Sequence, residues 1–344
     1  MKLSDFDYHL PESQIAEYPA ESREKSRMLV YNRSSHQVEH RQFADIDEYI
    51  RPEDFLVVNN TRVMQARLFG QKKATGGKVE LLLLKQFEEG LWHSLVKPGR
   101  GLTEGVEIEF ESGSVTAEVT AVHPDGSRTL RFKPANKVFD LMDTEGLIPL
   151  PPYIQRAPQE NDYERYQTVY SSRRGSVAAP TAGLHFTPEI LGKIRAREVE
   201  IVEINLDIGW GTFQPVRVED PRRHTIETET YRVSPEASKK ISDLGKAGKN
   251  LLAVGTTSVR TLESWYRQTD GSLSAHSDET DLYIYPPFEF KLVDKLLTNF
   301  HLPKSTLLML VAAFAGREEI LEVYREAVAE GYRFFSYGDC MLIL

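Results

Sequence analysis

The chain has one cysteine, Cys340, in 344 residues. A lone thiol excludes an intramolecular disulfide and a zinc site built on paired cysteines. No apolar run approaches the roughly 20 residues of a membrane-spanning helix. The opening Met1-Lys-Leu-Ser-Asp-Phe-Asp-Tyr8 lacks the basic segment and apolar block of an export signal, so the expected setting is cytoplasmic, with no membrane partner. Internal repeats and low-complexity segments are missing, as is any ligand cluster with a recognisable metal-binding spacing, and no metal is expected. A Gly-x-Ser-x-Gly elbow is absent, which disfavours a serine hydrolase. Positive charge is also short: 42 Lys and Arg against 51 Asp and Glu leave a net charge of -9. An RNA or DNA partner would therefore have to be met by cations gathered locally. The sequence shows no stripe of interleaved aromatic and basic residues that would mark a simple RNA binder.

What is present is an ordinary globular composition, 40% hydrophobic and 27% charged, arranged in two rhythms. Met28-Leu-Val-Tyr31 and Asp54 to Val63 read as strands, and Leu10 to Pro19 as a short helix between prolines. From about Arg67 to Phe132 short alternating runs follow: Lys78–Leu84, Leu91–Val96, Val106–Phe110, Val115–Val122 and Thr129–Phe132. Turns such as Thr75-Gly-Gly77 and Pro124-Asp-Gly126 separate them, which predicts a small antiparallel barrel with no helix. Residues 61–150 carry 12 basic and 12 acidic side chains, so the acidic excess lies entirely outside that segment. After residue 150 the rhythm becomes strand, loop, helix. Strands are expected at Val199–Ile208, Leu251–Val254, Leu282–Tyr285 and Tyr332–Tyr337; helices are expected after Thr187, after Ser234 and over Arg317–Glu330. The fold class expected is α/β: a discontinuous α/β domain, residues 1–60 and 151–344, with a small antiparallel β-barrel inserted at 61–150.

Three loops share one design. Gly175-Ser-Val-Ala-Ala-Pro-Thr-Ala-Gly-Leu-His-Phe-Thr187 leaves backbone amides bare beside Thr181 and His185 and feeds a helix capped by Thr187 with Pro188 at its first position. Gly255-Thr-Thr-Ser258 ends a buried strand and opens a helix. Thr298-Asn-Phe-His-Leu-Pro-Lys-Ser-Thr306 leads into the apolar helix Leu307–Phe314, stopped by Gly316. Free N–H groups at helix starts favour oxygen-rich or anionic ligands, and ligands collect at the carboxyl ends of strands in open α/β sheets.

These loops, together with Asn60-Thr-Arg-Val63, Ala66-Arg-Leu68, Leu150-Pro-Pro-Tyr-Ile154, Tyr166-Gln-Thr-Val-Tyr170, Gly209, Gly211-Thr-Phe213 and Tyr332-Arg-Phe-Phe-Ser-Tyr-Gly-Asp339, resemble the S-adenosylmethionine:tRNA ribosyltransferase-isomerase family of queuosine biosynthesis nearly end to end. The resemblance implies the same discontinuous α/β fold with an inserted barrel. It implies transfer and isomerisation of the ribosyl group of S-adenosylmethionine onto 7-aminomethyl-7-deazaguanine at the tRNA wobble position, giving epoxyqueuosine, adenine and methionine. S-adenosylmethionine is then a consumed co-substrate and no true cofactor is implied. Such a site must remove a proton beside the sulfonium, let adenine leave, keep the attacking amine neutral and expel methionine on closing the epoxide.

The catalytic residues expected on this basis are His185, His301, His224 and Asp207. Expected substrate contacts are Arg62, Arg67, Pro180, Thr181, Ala182, Gly183, Gly209, Gly211, Thr212, Gly255, Thr256, Thr257, Ser258, Asn299 and Asp339. Two positions depart from the family pattern. Asp207 stands where the family has His in a Leu-His-Val-Gly run, and Glu227 where it has the second His of a His-x-Met-His-x-Glu run. Both exchange imidazole for a carboxylate, which serves as a base but not as a cation near neutral pH. The alternatives are a non-enzymatic or activity-lost RNA-binding protein of the same fold, and a methyltransferase. The second is disfavoured because no Gly-x-Gly-x-Gly run follows a strand.

Overall fold

Apolar runs such as Phe55-Leu-Val-Val58 are too continuous for a strand with one wet face, and they predict a sheet covered on both sides. The computed structural model, which describes residues 1–344 apart from the Phe213 side chain, has such a sheet. The chain forms β1 (Arg27–Tyr31), β2 (Val38–Gln42), β3 (Asp54–Asn59) and β4 (Thr61–Val63). Then β5 (Arg67–Lys72), β6 (Lys78–Glu88), β7 (Leu91–Lys97), β8 (Glu107–Glu109), β9 (Thr116–Val122) and β10 (Arg128–Lys133) close an antiparallel barrel in the order β10-β7-β6-β5-β8-β9. The remaining strands are β11 (Arg173–Ser176), β12 (Ile201–Leu206), β13 (Glu229–Val233), β14 (Asn250–Val254), β15 (His276–Thr280), β16 (Lys295–Asn299) and β17 (Cys340–Ile343). The large sheet runs β15-β13-β12-β3-β14-β16-β17-β1-β2. Its centre, β12, β3, β14 and β16, is parallel, so their carboxyl ends share one edge.

Alternation along β3 shows why both faces are apolar. Phe55 and Val57 join the cluster containing Val259, Leu262 and Leu308, whereas Leu56 and Val58 join Ile190, Leu191 and Phe43 on the other face. The helices are α1 (Val138–Glu145), α2 (Asp162–Arg165), α3 (Pro188–Ala196), α4 (Pro235–Lys246), α5 (Thr256–Gln268), α6 (Thr306–Ala315) and α7 (Arg317–Ala329). Their caps follow the sequence: the Thr187, Ser234 and Ser305 hydroxyls accept from Ile190, Ala237 and Leu308 N–H.

Five expectations change. Asp54–Val63 is two strands, because the Asn59 amide accepts Thr61 N–H and Leu206 N–H and donates to Leu206 C=O, turning the chain out of the sheet. The helix α1 was not foreseen; its Val138, Leu141 and Met142 complete the barrel's core. Leu282–Tyr285 is not a strand, since Pro286 and Pro287 follow it and β15 takes the edge. Tyr332–Tyr337 is irregular because Phe335 has φ 73°, and the only pairing there is a bridge from Phe334 to Ile15. Leu10–Pro19 holds only a single tight turn, Glu12–Gln14.

Candidate active site

The carboxyl ends of β14 and β16 open onto a cavity of about 300 Å³. Gly255, at φ 89°, turns the chain from β14 directly into α5 and gives its N–H to Leu297 C=O of the neighbouring strand, a conformation that side chains resist. Thr256 and Thr257 therefore sit on the first turn of α5, at the wall of the cavity. The Thr257 hydroxyl is buried without a hydrogen-bond partner. From the loop before α3 come Pro180, Thr181 and Ala182, and from β16 and beyond come Thr298, Asn299 and His301. Thr212 and Gln214 enter from the loop after β12.

Asn299 ties these pieces together. Its Oδ1 accepts the Thr181 hydroxyl at 2.8 Å. Its Nδ2 lies 3.3 Å from His185 Nε2, 3.3 Å from Phe335 C=O and 3.4 Å from Asp339 C=O. One buried amide thus joins the Thr181 loop, β16 and the C-terminal segment. His185 does not reach the cavity wall. It is buried behind Asn299 against the Phe43 ring, and burial, reinforced by Arg23, Arg333 and Arg165, pushes its pKa down to about 3. His301 does line the cavity; its Nε2 pairs with the Thr298 hydroxyl at 2.8 Å, and burial holds its pKa at about 3. Both imidazoles are neutral at physiological pH.

Behind Thr212 lies a carboxylate pair. Glu229, 4% exposed, accepts Gly209 N–H at 3.0 Å and the Thr212 hydroxyl at 3.4 Å and forms a buried ion pair with Arg260. Glu227 accepts Gly211 N–H at 3.2 Å and the side-chain amide of the cavity residue Gln214 at 2.8 Å. Glu227 is exposed to solvent on one side; partial desolvation on the other, and then Glu229 beside it, push its carboxyl up, with Gly211 N–H partly opposing them. Gly209 and Gly211 thus act through their amides on these carboxylates rather than at the cavity.

Several expected residues lie elsewhere. Asp207 sits beside β4 and β11, takes the Thr61 hydroxyl at 3.1 Å, and has its carboxyl raised by burial. His224 packs edge-on to the Tyr283 ring at 5.7 Å. Arg62 borders a separate polar cleft with Gln65 and Arg174, and Arg67 faces Glu80 on the barrel at 3.4 Å. Gly183 shapes the loop: a β-carbon there would come within 2.0 Å of the Tyr170 hydroxyl. Ser258, on the first turn of α5, bonds back to Val254 C=O at the end of β14. The Asp339 carboxylate receives Arg27 and Arg333 N–H, both at 2.8 Å, and so holds β1 to the C-terminal segment.

The cavity also contains residues that the sequence did not single out: Tyr153, Gln214, Thr298, Lys304, Phe335 and Ser336. Lys304 and Phe335 have positive φ, 60° and 73°. Strained backbone gathers at ligand sites, but sequence carries no mark of it for non-glycine residues. Among the described residues no group of three or more His, Cys, Asp or Glu is placed to hold a metal, and no helix is long and apolar enough to cross a membrane.

Comparison with known proteins adds to this geometry. Residues 3–343 match the model of a family described as queuosine biosynthesis protein. A protein of Symbiobacterium thermophilum named S-adenosylmethionine:tRNA ribosyltransferase-isomerase is 52% identical over 344 residues, covering 100% of both chains. One of the same name from Desulfitobacterium hafniense is 49% identical over the same span, again covering 100% of both. The crystal structure of an S-adenosylmethionine tRNA ribosyltransferase from Thermotoga maritima is similar with a TM-score of 0.56 and 39% identity, over 99% of this chain and 100% of that one.

Proposed function

The chain belongs to the queuosine biosynthesis protein family, and from that premise we propose that it is an enzyme transferring the ribosyl group of S-adenosylmethionine to tRNA and isomerising it there. The acceptor is 7-aminomethyl-7-deazaguanine at the wobble position; the products are epoxyqueuosine-tRNA, adenine and methionine, formed in the cytoplasm. The observation that carries this reading is the hydroxyl-lined cavity at the carboxyl ends of the parallel strands, in a chain that matches its relatives over their full length.

A sulfonium substrate needs a pocket that does not repel a cation. Both nearby histidines are neutral, and the Lys304 ammonium is paired with Asp7 at 2.8 Å. Thr256 and Thr257 supply hydroxyl donors for the carboxylate and ribose oxygens of S-adenosylmethionine, and Thr181, whose proton goes to Asn299, accepts from a ribose hydroxyl. His301, neutral and bonded to Thr298, is the imidazole at the cavity wall and is assigned hydrogen-bonding to substrate. With its pKa near 3 it is a weak base for deprotonating the carbon beside sulfur. The Glu227 carboxylate, solvent-exposed but raised by partial desolvation and by Glu229 beside it, bonds the cavity residue Gln214 and is the better-matched proton acceptor next to the cavity. His185 and Asn299 are assigned to positioning.

The test is release of adenine and methionine from S-adenosylmethionine by the pure protein with tRNA carrying the aminomethyl-deazaguanine base. Stoichiometric release of both, only with the modified tRNA, is the expected result. Folded protein that releases neither would refute the assignment, and S-adenosylhomocysteine as product would point to methyl transfer.

A further inference from the structure

An enzyme that alters a base within a polynucleotide must draw that nucleotide out of its stack, and the neighbouring nucleotides then need a surface outside the pocket. One such surface adjoins this cavity. Tyr153 lines the cavity and also borders a surface groove of about 750 Å³ that contains Tyr18 and Arg333. Inside the mouth, the Tyr153 and Phe335 rings lie 4.0 Å apart between centroids. Outside it, Tyr18 is 51% exposed, and the Arg156 guanidinium lies 4.3 Å from its ring centroid. Arg333 bonds Tyr18 C=O, and Arg156 Nε bonds Glu17 C=O at 3.0 Å, so the segment bearing Tyr18 is held at two successive carbonyls.

Aromatic rings, backed by arginine and leading from open surface to a cavity mouth, form a stacking track for unpaired bases. The groove also carries Glu12 and Glu17. Two carboxylates oppose a phosphate inside the groove but not the face of a neutral base. The occupant that fits is therefore a nucleobase.

We propose that Tyr18 stacks the base of an unpaired nucleotide next to the reacting one, so that the groove between Tyr18 and Tyr153 guides the tRNA loop into the cavity. This rests on the proposed reaction for the identity of the RNA, and its test is separable from that reaction. Binding of a fluorescently labelled hairpin RNA bearing the anticodon-loop sequence is followed by anisotropy at fixed salt, for the wild-type protein, Tyr18→Ala and Tyr18→Phe. The expected result is an affinity loss of roughly 5- to 150-fold for Tyr18→Ala, the range of a single base–aromatic stack, with Tyr18→Phe close to wild type. S-adenosylmethionine affinity, measured without RNA, should be equal in all three and confirms an intact cavity. Tyr18→Ala binding as tightly as wild type, or Tyr18→Phe binding as weakly as Tyr18→Ala, overturns the stacking role. Adenine release by the wild-type protein reports on the reaction independently.

Discussion

Replacing Asn299 by alanine tests whether one amide organises the cavity. Asn299 is 2% exposed, so its lost contacts are not replaced by bulk water. Its Oδ1 gives up the 2.8 Å bond from Thr181. Its Nδ2 has two hydrogens for three acceptors at 3.3–3.4 Å, so at most two of those contacts count fully. Two to three net bonds at about 1 kcal/mol each give a loss of about 2–3 kcal/mol. Urea denaturation should show a lower midpoint with an unchanged slope, since the surface exposed on unfolding is the same. Turnover should fall more steeply than stability, because the Thr181 hydroxyl and the Phe335 backbone both lose their anchor; misplacement by about 1 Å costs on the order of 10²-fold. Asn299→Asp sharpens the test. It keeps an acceptor for Thr181 but turns a buried carboxylate toward the Phe335 and Asp339 carbonyls, so near neutral pH it should be less stable than Asn299→Ala. Protonation of the introduced carboxyl restores a donor, so that deficit should narrow as pH falls. An Asn299→Ala protein within about 0.5 kcal/mol of wild type, with normal turnover, would refute the reasoning, as would an Asn299→Asp protein equal to wild type.

Thr257→Val removes a buried hydroxyl that has no protein partner. Stability should hold or rise by about 1 kcal/mol, while the KM for S-adenosylmethionine rises roughly 5- to 10-fold, the value of one neutral hydrogen bond; an unchanged KM would remove that hydroxyl from the ligand contacts. His185 and His301 both have pKa values lowered from 6.5 to about 3 by burial. Between those values the unfolded chain binds the extra protons, so the stabilising contribution of these neutral histidines is complete above pH 6.5 and is lost as pH falls toward 3. Each adds a slope of about 1.4 kcal/mol per pH unit. His301→Asn should therefore flatten the wild-type stability–pH curve by about that amount between pH 5 and 6, read from urea midpoints; an unaltered slope would show that His301 is not held neutral.

Much of this protein was legible along the chain because its signals are local. A cap such as Thr187 or Ser305 acts within three residues, and the alternation that builds the barrel acts within each strand. The three polar loops announced themselves by residue type, and Thr181, Thr256, Thr257, Asn299 and His301 do share one cavity. What failed was either non-local or written in the backbone. The helix α1 packs Val138, Leu141 and Met142 into the core of a barrel that exists only once six strands have closed. The extension expected at Tyr332–Tyr337 breaks at Phe335, whose left-handed backbone is set by its contacts with Phe300 and Asn299 and not by its own preference.

The sequence alone determined most of the central strands and capped helices, the inserted barrel and the chemical character of the cavity, because periodicity, capping and side-chain chemistry travel with each residue. Only the tertiary structure decided which candidates meet. It put His185 behind Asn299, placed Asp207 and His224 away from the cavity wall, and assembled Tyr18, Tyr153, Arg156, Arg333 and Phe335 into an aromatic and basic track that no continuous stretch contains. The reason is physical: burial and convergence depend on which strand ends lie side by side, and strand order is fixed by packing between residues hundreds of positions apart.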